Sequence, residues 1–414
     1  MIGWLETGHK IGQNDCMKPD FTPYIPSDDT LASSGLPDAA TQLATAAAQL
    51  AGQLAPATQA IMVDHMSVIN SYYSNLIEGN KTLPHEIRAA QAGDFSGDPA
   101  KRDLQMESLA HIHVQQWLNE QQPDLDLLYS PEFIQQIHHE FYQHVPASLH
   151  ELRDGEGKVV DTVIPGQWRK RDVRVGEHIA PDEADIASLM KTFCNVYHPD
   201  KYKGDRKVIA VMCAHHRLAW IHPFADGNGR VIRLFTDAAL KAIGMESNGV
   251  WCLSRGLARA SGNYKTVLAR ADHPRQGDYD GRGVLSEKTL VEFCTFMLNT
   301  AIDQVEYMKG LLNLDEMHQR IHNYIQARND GRVPDMGKLK ENTELVLFNA
   351  FLRGQVPRAL AISSLGMSER SARRLLAQLK EDKLLSETST RSDLRWEIPE
   401  HAEPWYFPLL TPTV

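Results

Sequence analysis

The stretch from Lys207 to Arg233 constrains the fold most, because it commits the chain to a helix, a forced stop and a new helix start in immediate succession. Lys207–Ile221 (KVIAVMCAHHRLAWI) has helical composition. Pro223 predicts that this helix ends at or near His222, since proline disfavours helix at its own position and at the one before it. Gly227-Asn228-Gly229 then supplies a turn, and Arg230 begins the next helix. The joint, HPFADGNGRVIR, sets out its side chains in an order that suits a polyphosphate. His222, at a helix end, can accept a proton at neutral pH and so deprotonate an attacking hydroxyl. Asp226 offers the single carboxylate that suits a magnesium ion taking its other ligands from phosphate and water. The glycines let successive amides turn toward one point, and together with the positive end of the following helix they form an anion site. Arg230 and Arg233, three apart, project on neighbouring parts of that helix and can clamp phosphate oxygens.

These residues resemble the signature of the Fic family, His-x-Phe-x-Asp/Glu-Gly-Asn-Gly-Arg-x-x-Arg, and every specified position is met. The resemblance implies a Mg2+-dependent protein adenylyltransferase that moves AMP from ATP to a Ser, Thr or Tyr hydroxyl of a target protein or of itself, releasing pyrophosphate. On that reading His222 is the catalytic base and Asp226 holds the metal. Gly227, Asn228 and Gly229 bind the α- and β-phosphates, and Arg230 and Arg233 neutralise the rest. Fic proteins commonly place an Asn and a Tyr near the adenine, which assigns Asn263 and Tyr264 to nucleotide binding, with Tyr264 stacking on the base. Lys265 stands where many members carry a second aromatic. Related members use UTP or CDP-choline, or reverse the reaction, so ATP is inferred from the resemblance, whereas a diphosphate site follows from the residues.

A second stretch, Ser74-Asn-Leu-Ile-Glu78-Gly79-Asn80, closes a helix read at 58–76. Ser74 and Glu78 are i and i+4 and share a face, and Gly79 or Asn80 ends the helix. It resembles the inhibitory motif of the Fic family. The resemblance implies that Glu78 pairs with Arg233 in the place of the nucleotide γ-phosphate and keeps the site off.

The 414 residues, 42% apolar, can bury a substantial core in two or three domains. A net charge of -10 with pI near 6.0 argues against general nucleic-acid coating. The five cysteines (Cys16, Cys194, Cys213, Cys252, Cys294) are odd in number and widely spaced, which predicts reduced core thiols in a cytoplasmic protein rather than disulfides or a zinc site. No apolar run approaches membrane-spanning length, and no signal peptide is read at the start.

The fold class expected is mostly α: a helical Fic-type bundle with a small β-hairpin flap and a C-terminal winged helix-turn-helix domain. Residues 1–57 read as an arm and first helix (38–54), 58–330 as the core and 340–414 as the winged-helix-like module. Within the core, helices are expected at 101–120, 130–145 and 181–197, the last with Asp182, Glu183 and Asp185 in its first turn. Single helices are expected at 253–270 and 286–327. His138, His139 and His144 fall on a helix without acidic or cysteine ligands at metal spacing and read as solvated or packed. The β-prone pieces at 158–164 and 173–175 suggest the hairpin at 152–179, resembling the Fic flap that holds a target segment by strand pairing. In the C-terminal module, helices at 357–364 and 368–382 with Arg370, Arg373, Arg374 and Lys380 suggest a basic recognition face. The alternative function is therefore a DNA-binding regulator with a nucleotide-sensing Fic domain. Candidate partners are ATP, a protein hydroxyl, a second copy of the chain as a homodimer and DNA through 357–396, with no membrane.

Overall fold

Apolar residues recur at helical spacing along the chain, and helices dominate the computed structural model, which describes residues 19–245 and 249–411. Cys16 and residues 1–18 of the expected arm lie outside the described residues. The protein is mostly α-helical, and among the described residues the strands form two hairpins and one three-stranded sheet. The described residues divide into two units, 19–45, 70–245 and 252–304 in one, and 46–69, 249–251 and 305–411 in the other. The division therefore falls elsewhere than at 57 and 330–340, because residues early in the chain pack with its last part. Thr58 donates its hydroxyl to the Phe351 carbonyl at 2.6 Å, and the His65 ring meets Glu403 at 3.2 Å.

The first unit is built around the Arg206–Ile221 helix, in which every residue from Val208 to Leu218 is buried. A helix buried on all sides belongs at the centre of a core, and its polar His215, His216 and Arg217 find hydrogen-bond partners there. It packs between the Ile186–Tyr197 and Asn228–Ala242 helices. Pro56–Ile77, Pro99–Gln121 and Pro131–Tyr142 supply the residues that reach the 222–233 joint. Ser130 caps the last of these by accepting from the Phe133 amide, and Pro131 occupies the first helical position.

Several expected elements divide. The acidic residues near 183 form a 3-10 turn, Glu183–Asp185, ahead of the Ile186–Tyr197 helix rather than its first turn. The 253–270 segment is two helices, Leu253–Arg259 and Ser261–Arg270, because Ala260 leaves helical geometry at φ -112° and ψ 32°. The 286–327 segment is also two, Glu287–Leu311 and Leu314–Asn329, the second started by the Asn313 side chain accepting from the Glu316 amide. The flap region holds two hairpins instead of one. Glu151–Arg153 pairs antiparallel with Val159–Thr162, and Arg174–Val175 with His178–Ile179. Gly176, at φ +62°, turns the chain back at once, so Arg174–Val175 pairs with its own successor.

In the second unit Thr343–Arg353, Arg358–Ser364 and Glu369–Glu381 stand beside a sheet in which Leu394–Trp396 lies between Gln355–Val356 and Leu385–Ser386. The Glu369–Glu381 helix buries Ala372, Leu375, Leu376 and Leu379 on one face. Of its basic residues, Arg373 pairs with Glu369 and Lys380 shares Glu387 with Arg358. Among the described residues no helix is long and apolar enough to cross a membrane, and Cys194, Cys213, Cys252 and Cys294 are free and buried.

Candidate functional site

His222 ends the central helix in a left-handed conformation, φ 49° and ψ 60°, with its amide still bonded to the Leu218 carbonyl at 3.1 Å. A non-glycine residue there costs roughly 1–3 kcal/mol and persists only when its surroundings fix it. Arg169 does so. Its Nε donates to the His222 carbonyl at 2.9 Å, its backbone amide donates to the Pro223 carbonyl at 2.9 Å, and its remaining nitrogens donate to the carbonyls of Arg171 and Pro181. Arg169 is 3% exposed and ties the flap segment to the joint. The His222 ring hydrogen-bonds the Ala219 carbonyl; burial first, then the nearby Arg169 and His178, pull its pKa down to about 4. The imidazole is therefore neutral at pH 7.

The turn after His222 is held from inside. Asn228 accepts the Phe224 amide at 3.0 Å and returns a bond to the Phe224 carbonyl at 2.8 Å, so its buried side chain shapes the loop while its backbone starts the Asn228–Ala242 helix. Gly227 lies at φ +77°, and a Cβ there would come 2.7 Å from the Tyr142 ring. The Tyr142 hydroxyl bonds the Asp226 carboxylate. His138, fully buried and stacked on Phe224 at 4.0 Å, accepts the Gly166 amide at 2.9 Å through Nδ1 and meets the Asp226 carbonyl at 3.2 Å through Nε2. Asp226 itself is exposed. An exposed single carboxylate on a fixed turn fits a magnesium ion that draws its remaining ligands from phosphate and water.

The two arginines part company. Arg230 is 7% exposed and committed: Nε donates to Asn75 Oδ1 at 2.9 Å, Nη2 to Glu107 Oε1 at 2.5 Å, and the guanidinium lies over the Phe141 ring at 5.3 Å. Glu107 also accepts from Asn80 at 2.8 Å, so it joins the 74–80 turn to Arg230. Arg233 donates Nε to Ser74 Oγ at 2.9 Å, and Nη2 to the Ser74 carbonyl at 3.0 Å and Glu78 Oε1 at 2.8 Å. Burial alone would raise the Glu78 carboxyl; Arg233, then Arg230, outweigh it and hold it below its ordinary value. The carboxylate rests against Gly229, where a Cβ would fall 2.2 Å from Oε1. Only a glycine leaves that space.

Ser74, Glu78, His222, Asp226, Gly227, Asn228, Gly229, Arg230 and Arg233 thus gather at one place. Asn263 and Tyr264 enter differently. Asn263 is exposed. Tyr264 is 5% exposed, its ring stacked on Phe296, its hydroxyl 2.8 Å from His215 Nε2 and bonded to Arg233. A ring so enclosed does not offer a face to a base, so Tyr264 reaches the site through its hydroxyl. Arg169, His138, Tyr142, Asn75 and Glu107 were not legible as site residues. The one local signal was Asn75 lying next to Ser74.

A profile of the Fic/DOC family matches residues 128–240. The "Protein adenylyltransferase Fic" of Drosophila mojavensis and that of Drosophila melanogaster are each 38% identical over 85 residues, 20% of this chain and 17% of the relative. The matched part is thus a small fraction of those proteins. Among solved structures, Fic-1 (aa134 - 508) from C. elegans aligns with a TM-score of 0.51 at 15% identity, covering 68% of this chain and 74% of that one, a likeness of fold.

Proposed function

We propose that this chain, in which residues 128–240 match the Fic/DOC family, transfers AMP from ATP to a hydroxyl side chain of a protein and is held off by Glu78. The observation that carries this reading is an anion already seated at the site: the Glu78 carboxylate on Arg233, against Gly229, within the joint that His222 begins. A polyphosphate needs the same arginine and the same open glycine. The target hydroxyl gives its proton to the neutral His222 ring as its oxygen attacks the α-phosphorus, and the bond from that phosphorus to the bridging oxygen breaks to release pyrophosphate. The backbone amides at the start of the Asn228–Ala242 helix face the transferring phosphates, and Arg233, once freed from Glu78, takes a terminal oxygen. Asp226 would hold Mg2+, which when bound supplies charge neutralisation on the phosphates. Arg230 acts through position, with its Nε held by Asn75 and its Nη2 by Glu107. Exposed Ile164, Val175 and Ile179 mark the flap face where a target segment docks.

The test is incubation with α-labelled ATP and Mg2+. Label appearing on the chain or on a lysate protein, and lost in His222→Ala, supports the transfer; label that survives His222→Ala contradicts it. UTP and CDP-choline in place of ATP set the donor. For the DNA-binding alternative, the ion pairs of Arg373 and Lys380 supply no favouring observation.

A further inference from the structure

Away from the 222–233 joint, one cluster brings together side chains of metal-binding type. His113 on the Pro99–Gln121 helix, Glu140 on the Pro131–Tyr142 helix and His144 just beyond it have ligand atoms all within 4.8 Å of one another. His113 Nε2 stands 3.5 Å from Glu140 Oε2, and the His113 and His144 rings lie 3.8 Å apart between centroids. The reading of His144 as lacking an acidic partner is thereby corrected. Glu140 precedes it by one helical turn, and His113 arrives from another helix.

We propose that His113, Glu140 and His144 bind a borderline divalent transition-metal ion of the Zn2+ class, with water as fourth ligand. In a tetrahedral site with bonds of about 2.0–2.1 Å, neighbouring ligand atoms stand roughly 3.3 Å apart, close to the observed His113–Glu140 spacing. A plain ion pair would account for His113 and Glu140, but it gives no role to a second imidazole packed on the first. The Gln143 amide donates to the same Glu140 oxygen that faces His113 and fixes its direction. Two imidazoles and one carboxylate select zinc-like ions over magnesium or calcium, which take oxygen ligands.

The ion would fasten two helices that both serve the joint. One carries Glu107, which holds Arg230; the other carries His138 and Tyr142, which hold Asp226. The inference does not depend on the transferase reading, and its readout is metal binding alone. The full chain, stripped with a chelator and dialysed, is titrated with Zn2+ in a calorimeter alongside His113→Ala, His144→Ala, Glu140→Gln and Asp226→Ala. His113 is 41% exposed in its side chain and His144 is exposed, so alanine there leaves the core intact, which far-UV circular dichroism checks. One site is expected in the wild type, weakened at least about tenfold in each histidine variant, weakened in Glu140→Gln and retained in Asp226→Ala. Equal Zn2+ affinity and stoichiometry in wild type and both histidine variants overturns the proposal. So does an absence of wild-type binding up to about 1 mM.

Discussion

Two helices in this chain carry arginines on consecutive turns, and they use them differently. In Asn228–Ala242, Arg230 and Arg233 are 7% and 2% exposed, and their partners, Asn75, Glu107, Ser74 and Glu78, come from 123 to 159 positions away. In Glu369–Glu381, Arg373 pairs with Glu369 one turn earlier, with both side chains more than half exposed. A buried guanidinium must be matched by the fold, and the match defines a place where charge is handled. An exposed one matched by its neighbour is a solvated face and contributes little. Counting arginines does not separate the two; the sequence distance of the partner does.

The largest expected effect is on chemistry. His222→Ala should lower the rate of AMP transfer by about 10²–10⁴-fold, the usual contribution of a general base, measured as label incorporated per minute. Next comes the buried end of the comparison. Arg230→Ala leaves Glu107 buried without its partner and should cost about 3–5 kcal/mol in denaturant unfolding. A loss as small as a surface pair would show that Arg230 is not matched by the fold in the way described.

The pH dependence follows with a smaller effect. Because His222 is pulled down to about 4, it stays the free base through the neutral range, and the acid limb of kcat/KM lies near that value. Transfer by a Glu78→Gly variant should change less than about twofold between roughly pH 7.5 and 5.5, where an imidazole of ordinary pKa would lose about tenfold. Glu78 moves in the carboxylate direction: its lowered pKa keeps it ionised, so the stabilising pair with Arg233 is full above the ordinary carboxylate range and fades only as pH falls through the lowered value. Acidification within the neutral range does not release it. The smallest effect belongs to the exposed end. Arg373→Ala should change stability by no more than about 0.5 kcal/mol and leave AMP transfer unchanged.

Local rules carried the joint far. Pro223 marks where the first helix ends, and it stops at Ile221; the next begins at Asn228, two residues before the expected Arg230, because Gly227 at φ +77° already serves as its N-cap. Ser74 and Glu78 share a face because helical spacing requires it. What local rules could not reach were partners distant in sequence, such as Arg169 under His222, His138 and Tyr142 under Asp226, and Glu107 under Arg230, since nothing in a segment states what will pack on it. The helix break at Ala260 carries no glycine or proline at its own position. The break before Leu314 was readable, for Asn313 followed three residues later by Glu316 is a capping pattern inside an otherwise helical run. Tyr264 departs from the expected stacking for a related reason: its place in the chain says nothing about whether its ring or its hydroxyl faces the site.

The most direct test of the central claim compares wild type, Glu78→Gly and Glu78→Gly with His222→Ala for transfer of label from α-labelled ATP at equal protein concentration. The account predicts a gain of at least about tenfold in Glu78→Gly, the factor that ~1.4 kcal/mol of relieved competition makes, and loss of that gain in the double variant. Unchanged transfer in Glu78→Gly, with ATP binding intact, would contradict it.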